Sequence, residues 1–361
     1  MRSFEERLKE IWAGEGASGA SRALAAALRL LSLPYGAAVT VRNRLYDRGI
    51  LRQEKLPVPV ISVGNITVGG TGKTPTVIFI ANLLKERGFR PAVLSRGYGG
   101  RAGADLRIVS DGNRILCGWR EAGDEPILIA GASPGVPVLT GSRRLLPGRE
   151  AVRRFGADVL ILDDAFQHRA LCRNLDIVLA DALCPWGNGF ILPRGPLREK
   201  PEGLSRAHLI LRTGSDGDPV DPLPKASGQP SFRGIRRPLG LVEAETGRVL
   251  PLAELGGLKV CAFAGIGRPE SFRQSLARLD AEIVSFRSFP DHHPYTRADI
   301  DALRLLARES GAARLVTTEK DAARLADHPD LLRELTLLRI GMEISPAEPF
   351  AELLFSAVAI K

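Results

Sequence analysis

The stretch that decides the fold runs from Pro57 to Arg87 and reads PVPVISVGNITVGGTGKTPTVIFIANLLKER. The β-branched residues between Val58 and Val63 are typical of a buried parallel strand. A glycine-rich loop follows and ends in Gly72-Lys73-Thr74, and an apolar helix begins near Pro75. Glycines let successive N–H groups surround phosphate oxygens at the positive end of a helix. The stretch therefore predicts a nucleotide site of the phosphate-loop (P-loop) type.

We expect eight consecutive residues to bind the nucleotide: Thr67, Val68, Gly69, Gly70, Thr71, Gly72, Lys73 and Thr74. Lys73 would contact the β- and γ-phosphates of ATP, and the Thr74 hydroxyl would ligate Mg²⁺. The usual pattern G-x-x-x-x-G-K-[ST] has a glycine five residues before Gly72, where this chain has Thr67. The strand and helix on either side favour a phosphate loop over a plain glycine turn.

Composition indicates an ordinary globular protein with more than one core. The chain has 361 residues, of which 44% are hydrophobic and 25% charged, so we expect two domains and no disorder. A net charge of +9 favours anionic partners such as nucleotide, nucleic acid or an acidic membrane surface, although an arginine-rich genome would have the same effect. The four cysteines are far apart and predict neither a zinc site nor a disulfide framework.

The N-terminal region predicts a helix at an interface. The first residues are charged and predict no signal peptide. The apolar stretch from Ala23 to Val41 falls short of the roughly 20 clean apolar residues that span a bilayer. Three leucines share one face of the helix and two arginines the other: Leu24, Leu28 and Leu31 against Arg22 and Arg29. This pattern fits either an interfacial helix or a helix packed on the protein's own core.

Apolar segments alternate with helical patterns and predict an α/β fold, with a doubly wound sheet around the phosphate loop. The expected strands are Val58–Val63, Pro91–Ser95, Val136–Thr140, Asp158–Leu162, Asp176–Ala180 and His208–Arg212. Residues 213–230 are rich in Gly, Pro, Asp and Ser and predict a boundary loop.

A second, smaller α/β lobe is expected after a linking hairpin formed by Leu239–Val242 and Arg248–Leu250. Its expected strands are Lys259–Ala264, Glu282–Phe286, Arg314–Thr318 and Thr336–Ile340, with helices Glu270–Leu279 and Arg297–Glu309. The predicted organisation is an interfacial segment at 1–50, a P-loop domain at 51–228, the smaller domain with its hairpin at 229–345 and a C-terminal helix at 346–361.

Two carboxylates, Asp163 and Asp164, follow the hydrophobic run Val159–Leu162. An acid at the end of such a strand holds Mg²⁺ next to the loop threonine in P-loop proteins. If the strand continues, the two side chains point to opposite sides, so only one would face the metal directly. Strand-end aspartates also serve as turn residues, but the pairing with Thr74 favours the metal role.

Asp124 stands at the start of a predicted helix, in Gly123-Asp124-Glu125-Pro126. Aspartate followed by proline is ordinary helix-start chemistry and predicts a cap. The same carboxylate is equally suited to take a proton from an attacking hydroxyl. From these residues alone, both roles stay open.

The second lobe carries Asp291-His292-His293 in a loop. Adjacent histidines lack the i, i+4 spacing of a metal pair, so a zinc site is not expected. An imidazole here would instead orient a carboxylate and tune its pKa.

Two glycine- and arginine-bearing loops, Ser95–Gly100 and Arg194–Glu199, suit phosphate recognition.

Taken together, these pieces resemble the tetraacyldisaccharide 4′-kinase family. The matching segments are YGAAVTVRNRLYDRG (35–49), SVGNITVGGTGKTP (62–75), VLSRGYGG (93–100), GDEP (123–126), LDDAFQHR (162–169), GFILPRGPLRE (189–199), FAGIGRPESF (263–272), FPDHH (289–293) and VTTEKDA (316–322). They cover most of the chain, and the loop with Thr67 is also what that family carries.

The resemblance implies two α/β lobes joined by a β-stranded linker, with ATP and Mg²⁺ as cofactors. It implies transfer of the ATP γ-phosphate to the 4′-hydroxyl of a tetraacylated disaccharide 1-phosphate, forming lipid IVA in lipid A biosynthesis. It also implies a peripheral location at the cytoplasmic face of the inner membrane, where Leu24, Leu28 and Leu31 would insert beside anionic headgroups.

The resemblance also assigns roles by position. Asp124, His292 and Lys73 are the implied catalytic residues, with Asp124 as base and His292 as its partner. The implied metal region comprises Thr74, Asp163, Asp164 and Glu199. The implied contacts to the disaccharide phosphate are Ser95, Arg96, Tyr98 and Arg198. His293 is left out, because the first histidine after the aspartate is the match.

Two alternatives have less support. A dimeric ATPase of the partition or metal-insertion type carries lysine immediately before the two glycines, where this chain has Val68. A nucleotide-dependent nucleic-acid-binding module is supported by net charge alone, since aromatic residues make up 6% of the chain. We therefore expect no nucleic-acid partner and no obligate protein partner.

Overall fold

The computed structural model describes residues 8, 10–12, 19–101, 105–215 and 228–359. Most of the predicted boundary loop, residues 216–227, lies outside this part of the chain. The described residues form two compact units. The first takes its residues from Met1–Lys73, Asp158–Ile235 and Glu343–Lys361, and the second from Thr74–Ala157 and Arg236–Met342.

The first unit contains a parallel sheet built around the predicted nucleotide strand. Its strands lie in the order β5, β1, β6, β7, β8, and each neighbouring pair is parallel. Their bounds are β1 Val60–Asn65, β5 Val159–Asp163, β6 Leu175–Asp181, β7 Leu209–Gly214 and β8 Ser231–Glu243. Every residue of β1, β5 and β6 is buried, as in strands covered on both faces.

The helices of the first unit are α1 Gly19–Asp47 and α10 Ala347–Val358, with a 3-10 turn at Pro201–Arg206. Apolar residues pack below the phosphate loop: Ile66, Phe166, Val178, Leu197 and Ile210. Leu197 also forms a β-bridge with Thr67 of the loop. The loop is therefore fixed at its base by the core of its own unit.

The second unit includes helix α2 Lys73–Glu86 from Thr74 onward. In its first portion, β2 Pro91–Ser95 runs parallel to β4 Val138–Thr140, which pairs antiparallel with β3 Arg107–Ser110. The helices here are α3 Trp119–Ala122, α4 Asp124–Ala132 and α5 Leu145–Phe155. Ser95 pairs with Thr140, so the carboxyl ends of β2 and β4 lie side by side.

The rest of the second unit has four parallel strands in the order β11, β10, β12, β13. Their bounds are β10 Lys259–Ala264, β11 Glu282–Ser288, β12 Arg314–Thr318 and β13 Leu335–Ser345, and β9 Val249–Leu250 pairs antiparallel with β8. The helices are α6 Pro269–Ala277, α7 Arg297–Glu309, α8 Glu319–Arg324 and α9 Pro329–Leu332, with a 3-10 turn at Leu252–Leu255. A capping box between Thr296 and Asp299 begins α7.

The observed alternation of strands and helices confirms the predicted α/β class. The expected strands and helices are all present, with bounds shifted by a few residues. The features that were not predicted include the antiparallel strand β3, the short helices α8 and α9, and the length of β8, of which the predicted hairpin included the last residues only. The predicted domain boundaries stay a prediction.

Helix α1 presents a different apolar face from the predicted one. Leu28 is buried and Ser32 donates to the carbonyl of Ile191, so this side packs on the first unit. Leu30, Leu33 and Val41 lie exposed on the opposite side. The prediction that Leu24, Leu28 and Leu31 form one inserting face is therefore wrong: Leu24 is half-buried and Leu31 alone of the three is exposed.

The segment Ser21–Asp47 of α1 is also long and apolar enough to cross a membrane, by length and composition alone. The sequence reading placed it below that limit. The same test is passed by some core helices and signal sequences, so it does not decide between spanning a membrane and lying on one.

Candidate active site

The phosphate loop connects the end of β1 to the start of α2. Asn65 Nδ2 donates to Thr71 Oγ1 over 2.9 Å, and Thr213 Oγ1 donates to the Thr71 carbonyl over 2.6 Å. Gly72 has a φ of 86°, a left-handed conformation that favours glycine. Because α2 begins at Lys73, the helix N-terminus directly follows the loop. A helix start behind a glycine-rich loop is suited to a polyphosphate.

Two loop amides are engaged within the protein. The Val68 N–H donates to the carbonyl of Pro196 over 2.8 Å, and the Thr71 N–H donates to the carbonyl of Gly69 over 3.0 Å. The predicted contacts of these two amides with phosphate would require both hydrogen bonds to be given up. The phosphate-binding roles of the loop glycines and of Lys73 stay a prediction.

The two carboxylates after β5 are separated by a turn of the backbone. Asp163 is the last residue of the strand, is buried, and pairs in register with Val63 of β1. Asp164, the first residue after the strand, has a φ of 47° in the left-handed region, which breaks the extended conformation. The strand therefore does not continue through the pair, and the turn, rather than strand alternation, gives the two side chains different environments.

Asp164 is bound by cations from two motifs. Arg198 donates to both of its carboxylate oxygens, over 2.8 and 3.0 Å, in a bidentate ion pair. Lys73 Nζ lies 3.7 Å from Asp164 Oδ1. Asp164 thus links Lys73, the predicted phosphate-binding lysine, to Arg198. The Arg198 guanidinium was predicted to contact the disaccharide phosphate, and here it binds Asp164.

Glu199 is buried and accepts hydrogen bonds from three side chains. Asn43 Nδ2 and Gln167 Nε2 each donate over 3.0 Å, and Arg206 Nη2 over 2.7 Å. These donors compete with the metal role predicted for Glu199. Across the ranges that the structure describes, no three His, Cys, Asp or Glu side chains cluster closely enough to hold a metal ion. A bound Mg²⁺ would therefore depend on ligands beyond such a cluster, including hydroxyl, phosphate and water oxygens.

Asp124 and His292 come together in the second unit, although 168 positions separate them in the sequence. His292 Nδ1 lies 2.9 Å from Asp124 Oδ2 and 3.2 Å from Oδ1. Asp124 is 3% exposed, so this carboxylate has been taken out of water. A buried carboxylate bound to an imidazole is a recurrent arrangement for proton transfer.

The structure excludes one of the two roles left open for Asp124, that of helix cap. The N-cap of α4 is Gly123, and no side-chain cap hydrogen bond is formed there. Asp124 is the first residue inside the helix, and its Oδ1 accepts the N–H of Glu125 over 3.0 Å. A cap would accept the amide two or three positions further on. Asp124 is therefore not the cap of α4.

Two cations of α8 lie next to the Asp124–His292 pair. Arg324 Nε lies 3.5 Å from Asp124 Oδ2, and Lys320 Nζ lies 3.3 Å from Glu125 Oε1 and 3.6 Å from Asp291 Oδ1. Burial alone would raise the pKa of Asp124, but the hydrogen bond to His292 and the charge of Lys320 outweigh it and hold that pKa below its usual value. The hydrogen bond to Asp124 raises the pKa of His292.

Tyr98, one of the residues implied for the substrate, lies beside His292, with ring centroids 5.7 Å apart in an edge arrangement. The Tyr98 side chain is exposed, as is Arg96, whereas Ser95 is buried at the end of β2. His293 stacks on Phe289 instead.

Sequence reasoning missed four site residues: Lys320 and Arg324 beside the Asp124–His292 pair, and Asn43 and Arg206 on Glu199. Lys320 stands in VTTEKDA and Asn43 in YGAAVTVRNRLYDRG, two matching segments to which no role was attached. Arg324 follows just after the first of these segments and carried no signal of its own.

A family model for tetraacyldisaccharide-1-P 4′-kinases matches residues 24–359. The chain belongs to this family. Its relatives include the tetraacyldisaccharide 4′-kinase of Syntrophus aciditrophicus (strain SB), which is 49% identical over 97% of this chain and 98% of the relative. The enzyme of the same name from Anaeromyxobacter sp. (strain Fw109-5) is 45% identical over 94% and 93%. Membership in this kinase family confirms the resemblance and excludes the partition-type ATPase.

A solved member of the kinase family has the same fold. The crystal structure of LpxK from Aquifex aeolicus in complex with ATP matches with a TM-score of 0.78 and 34% sequence identity, covering 93% of this chain and 99% of that one. This likeness confirms the predicted fold class.

Proposed function

We propose that this protein transfers the γ-phosphate of ATP to the 4′-hydroxyl of a tetraacylated disaccharide 1-phosphate, forming lipid IVA in lipid A biosynthesis. Family membership supports the reaction, and the ATP complex of the Aquifex aeolicus relative supports the phosphate donor. The observation that carries the proposal is the contact of 2.9 Å between the buried Asp124 and His292, because it offers a base for the sugar hydroxyl.

The donor half of the reaction would be held by the phosphate loop. Lys73 would neutralise charge on the β- and γ-phosphates. Mg²⁺, bound with ATP, would supply further positive charge there. The Thr74 hydroxyl and the Asp163 carboxylate are hard oxygen ligands of the kind that Mg²⁺ prefers, and we propose that they hold it.

The acceptor half would be activated by Asp124. Its carboxylate is ionised at neutral pH, since its pKa lies below the usual value. We propose that it accepts the proton of the 4′-hydroxyl while His292 keeps it oriented. Phosphoryl transfer needs little covalent help, so positioning and charge neutralisation supply most of the rate. The exposed ring of Tyr98 beside His292 is suited to a sugar face, with Arg96 on the same loop and Ser95 at the end of β2 just before it.

The test is a turnover assay with purified protein, γ-labelled ATP, Mg²⁺ and the disaccharide 1-phosphate. Asp124→Asn should lower kcat by about 100-fold or more, with little change in KM for ATP, because general base catalysis contributes factors of this size. Glu150→Gln is the matched control, since Glu150 is a partly buried carboxylate that pairs with Arg153 of the same helix, α5. A defect of Asp124→Asn confined to KM would contradict the base role.

We also propose that α1 seats the protein on an anionic membrane at the cytoplasmic face of the inner membrane. The family acts on a lipid-linked sugar, so its active site must reach an interface. Leu30, Leu33 and Val41 form an exposed apolar stripe on α1, and Arg44 and Arg48 follow it. Apolar burial combined with basic residues is how interfacial helices bind anionic lipid.

The membrane proposal is tested by sedimentation with vesicles. The double variant Leu30→Ser/Leu33→Ser should bind anionic vesicles at least tenfold more weakly than the unchanged protein. Leu305→Ser is the matched control, because Leu305 is an exposed leucine on α7. Equal sedimentation of the double variant and the unchanged protein would exclude α1 as the membrane contact.

A further inference from the structure

Arg324 is a buried arginine beneath the Asp124–His292 pair. It is 1% exposed and ends α8. Its Nη2 donates to Asp321 Oδ1 over 2.5 Å and to the carbonyl of Gly265 over 2.8 Å. An arginine is rarely this buried unless its charge is paired and its N–H groups are used.

The main chain that carries His292 depends on the same guanidinium. The His292 N–H donates to Asp291 Oδ1 over 3.0 Å and to the carbonyl of Gly265 over 3.2 Å, and that carbonyl also accepts Arg324 Nη2. Arg324 Nη1 lies 3.5 Å from the carbonyl of His293. His292 has a φ of 59°, which a residue other than glycine adopts only when its surroundings hold it there. Arg324 therefore shares the Gly265 carbonyl with the N–H of this strained residue and also lies near the carbonyl of the next residue, His293.

Arg324 also acts on the carboxylate of the pair. Its Nε lies 3.5 Å from Asp124 Oδ2, and within the described residues this N–H has no hydrogen-bond acceptor. A distance of 3.5 Å is an ion pair rather than a good hydrogen bond. The remaining N–H of the guanidinium is therefore adjacent to the oxygen that also binds His292.

We propose that Arg324 is a positioning residue for the Asp124–His292 pair, which fixes the backbone of His292 and favours the ionised carboxylate of Asp124. This inference rests on the proposed function, because it assigns Arg324 to the base of that reaction. The competing explanation is that Arg324 serves the buried Asp321 alone, as a structural ion pair.

The two explanations differ in pH dependence. The charged groups facing Asp124 are His292, Lys320 and Arg324, with Glu125 next to it in the chain, and Asp291 and Lys320 face His292. Removing a nearby cation makes protonation of a carboxylate easier, so the apparent pKa of the pair rises. The acid limb of the kcat/KM profile should then move to higher pH, by about one unit for a cation at this distance in a partly buried site. A purely structural ion pair would not move it.

The experiment compares pH profiles of kcat/KM for the unchanged protein, Arg324→Gln and Arg324→Lys. We expect the acid limb of Arg324→Gln to shift upward by about one unit, with kcat at its optimum reduced about tenfold. Arg324→Lys keeps the cation, so its acid limb should lie close to that of the unchanged protein. Arg339→Gln is the matched control, because Arg339 pairs with Glu319 at the other end of α8.

An acid limb of Arg324→Gln that coincides with that of the unchanged protein would overturn the inference, as would the same loss at every pH. If the single variant does not fold, because Asp321 is left as an unpaired buried charge, Asp321→Asn/Arg324→Gln removes both charges and is held to the same criterion. The proposed function is judged separately by Asp124→Asn. Full turnover of Asp124→Asn would remove the base role, whatever the result for Arg324. If Asp124→Asn is inactive but the acid limb of Arg324→Gln does not move, the Arg324 inference alone is refuted.

Discussion

Gly123 should be the position where the smallest possible substitution does the most damage to the site. Its φ of 88° and ψ of 160° lie in a region open essentially to glycine alone. A Cβ built on it would lie 2.3 Å from the carbonyl oxygen of Tyr98, a distance below the 3.0 Å that real Cβ contacts respect. Gly123→Ala must therefore both strain the backbone and push the Tyr98 loop away from the start of α4.

The magnitude follows from these two effects. Backbone strain of this kind costs about 1–3 kcal/mol, and the forced separation adds about 1 kcal/mol. We expect Gly123→Ala to lower the free energy of unfolding by about 2–4 kcal/mol in urea titrations. Turnover should fall as well, because Asp124 is the next residue and its contact with His292 depends on the same turn.

Gly131→Ala is the matched control for Gly123→Ala. Gly131 lies in the same helix, and an added Cβ would meet no atom within 4 Å. Alanine is a better helix former than glycine, so this variant should be about 0.5–1 kcal/mol more stable. If Gly123→Ala unfolds within 0.5 kcal/mol of the unchanged protein, the reasoning from the turn is refuted.

Three further outcomes are expected. Lys73→Ala should abolish ATP-dependent lipid phosphorylation, and normal turnover would remove the loop from the mechanism. Arg198→Ala should weaken ATP binding about tenfold, because Lys73 would then be the cation left to pair with Asp164 and would be less available to the phosphates. Isothermal titration with ATP measures this dissociation constant. The pKa of His292 is raised, so its pairing with Asp124 stabilises the fold fully below about pH 6.5 and is lost as pH rises through the folded value. Asp124→Asn should therefore flatten the fall in unfolding free energy between pH 6 and 9, and an unchanged slope would contradict the pairing.

The opposite sign holds for Asp124. Its pKa is lowered, so its contribution is complete above its unfolded value of about 4 and is lost as pH falls through the folded value. The window in which both groups stabilise the fold lies between these limits, from about pH 4 to 6.5.

The sequence predicted what local patterns encode. The strand, loop and helix around Lys73 have the composition that a phosphate loop requires, and β10, β12 and α7 were placed at their observed bounds. Strand β3 escaped because it is a short, partly exposed antiparallel strand without a long apolar run.

What could not be predicted depends on contacts between distant parts of the chain. Asp124 has the sequence context of a cap, and its partner His292 lies 168 positions away, so no local pattern indicates the contact between them. The periodicity of α1 gave an amphipathic helix but not its rotation, because Leu28 is buried by the first unit rather than by anything local. Arg324 acts through carbonyl groups, which carry no sequence signal.

The contacts of α1 have a practical consequence for anyone preparing this protein. An exposed apolar helix invites truncation to improve expression and to avoid detergent. Asn43 of that helix donates to the buried Glu199, and Tyr35 donates to the carbonyl of Arg198. A shortened chain would lose both hydrogen bonds next to the residues that hold Asp164. Inactivity of such a protein would therefore say nothing about membrane contact, and surface substitutions on an intact α1 are the cleaner way to separate solubility from catalysis.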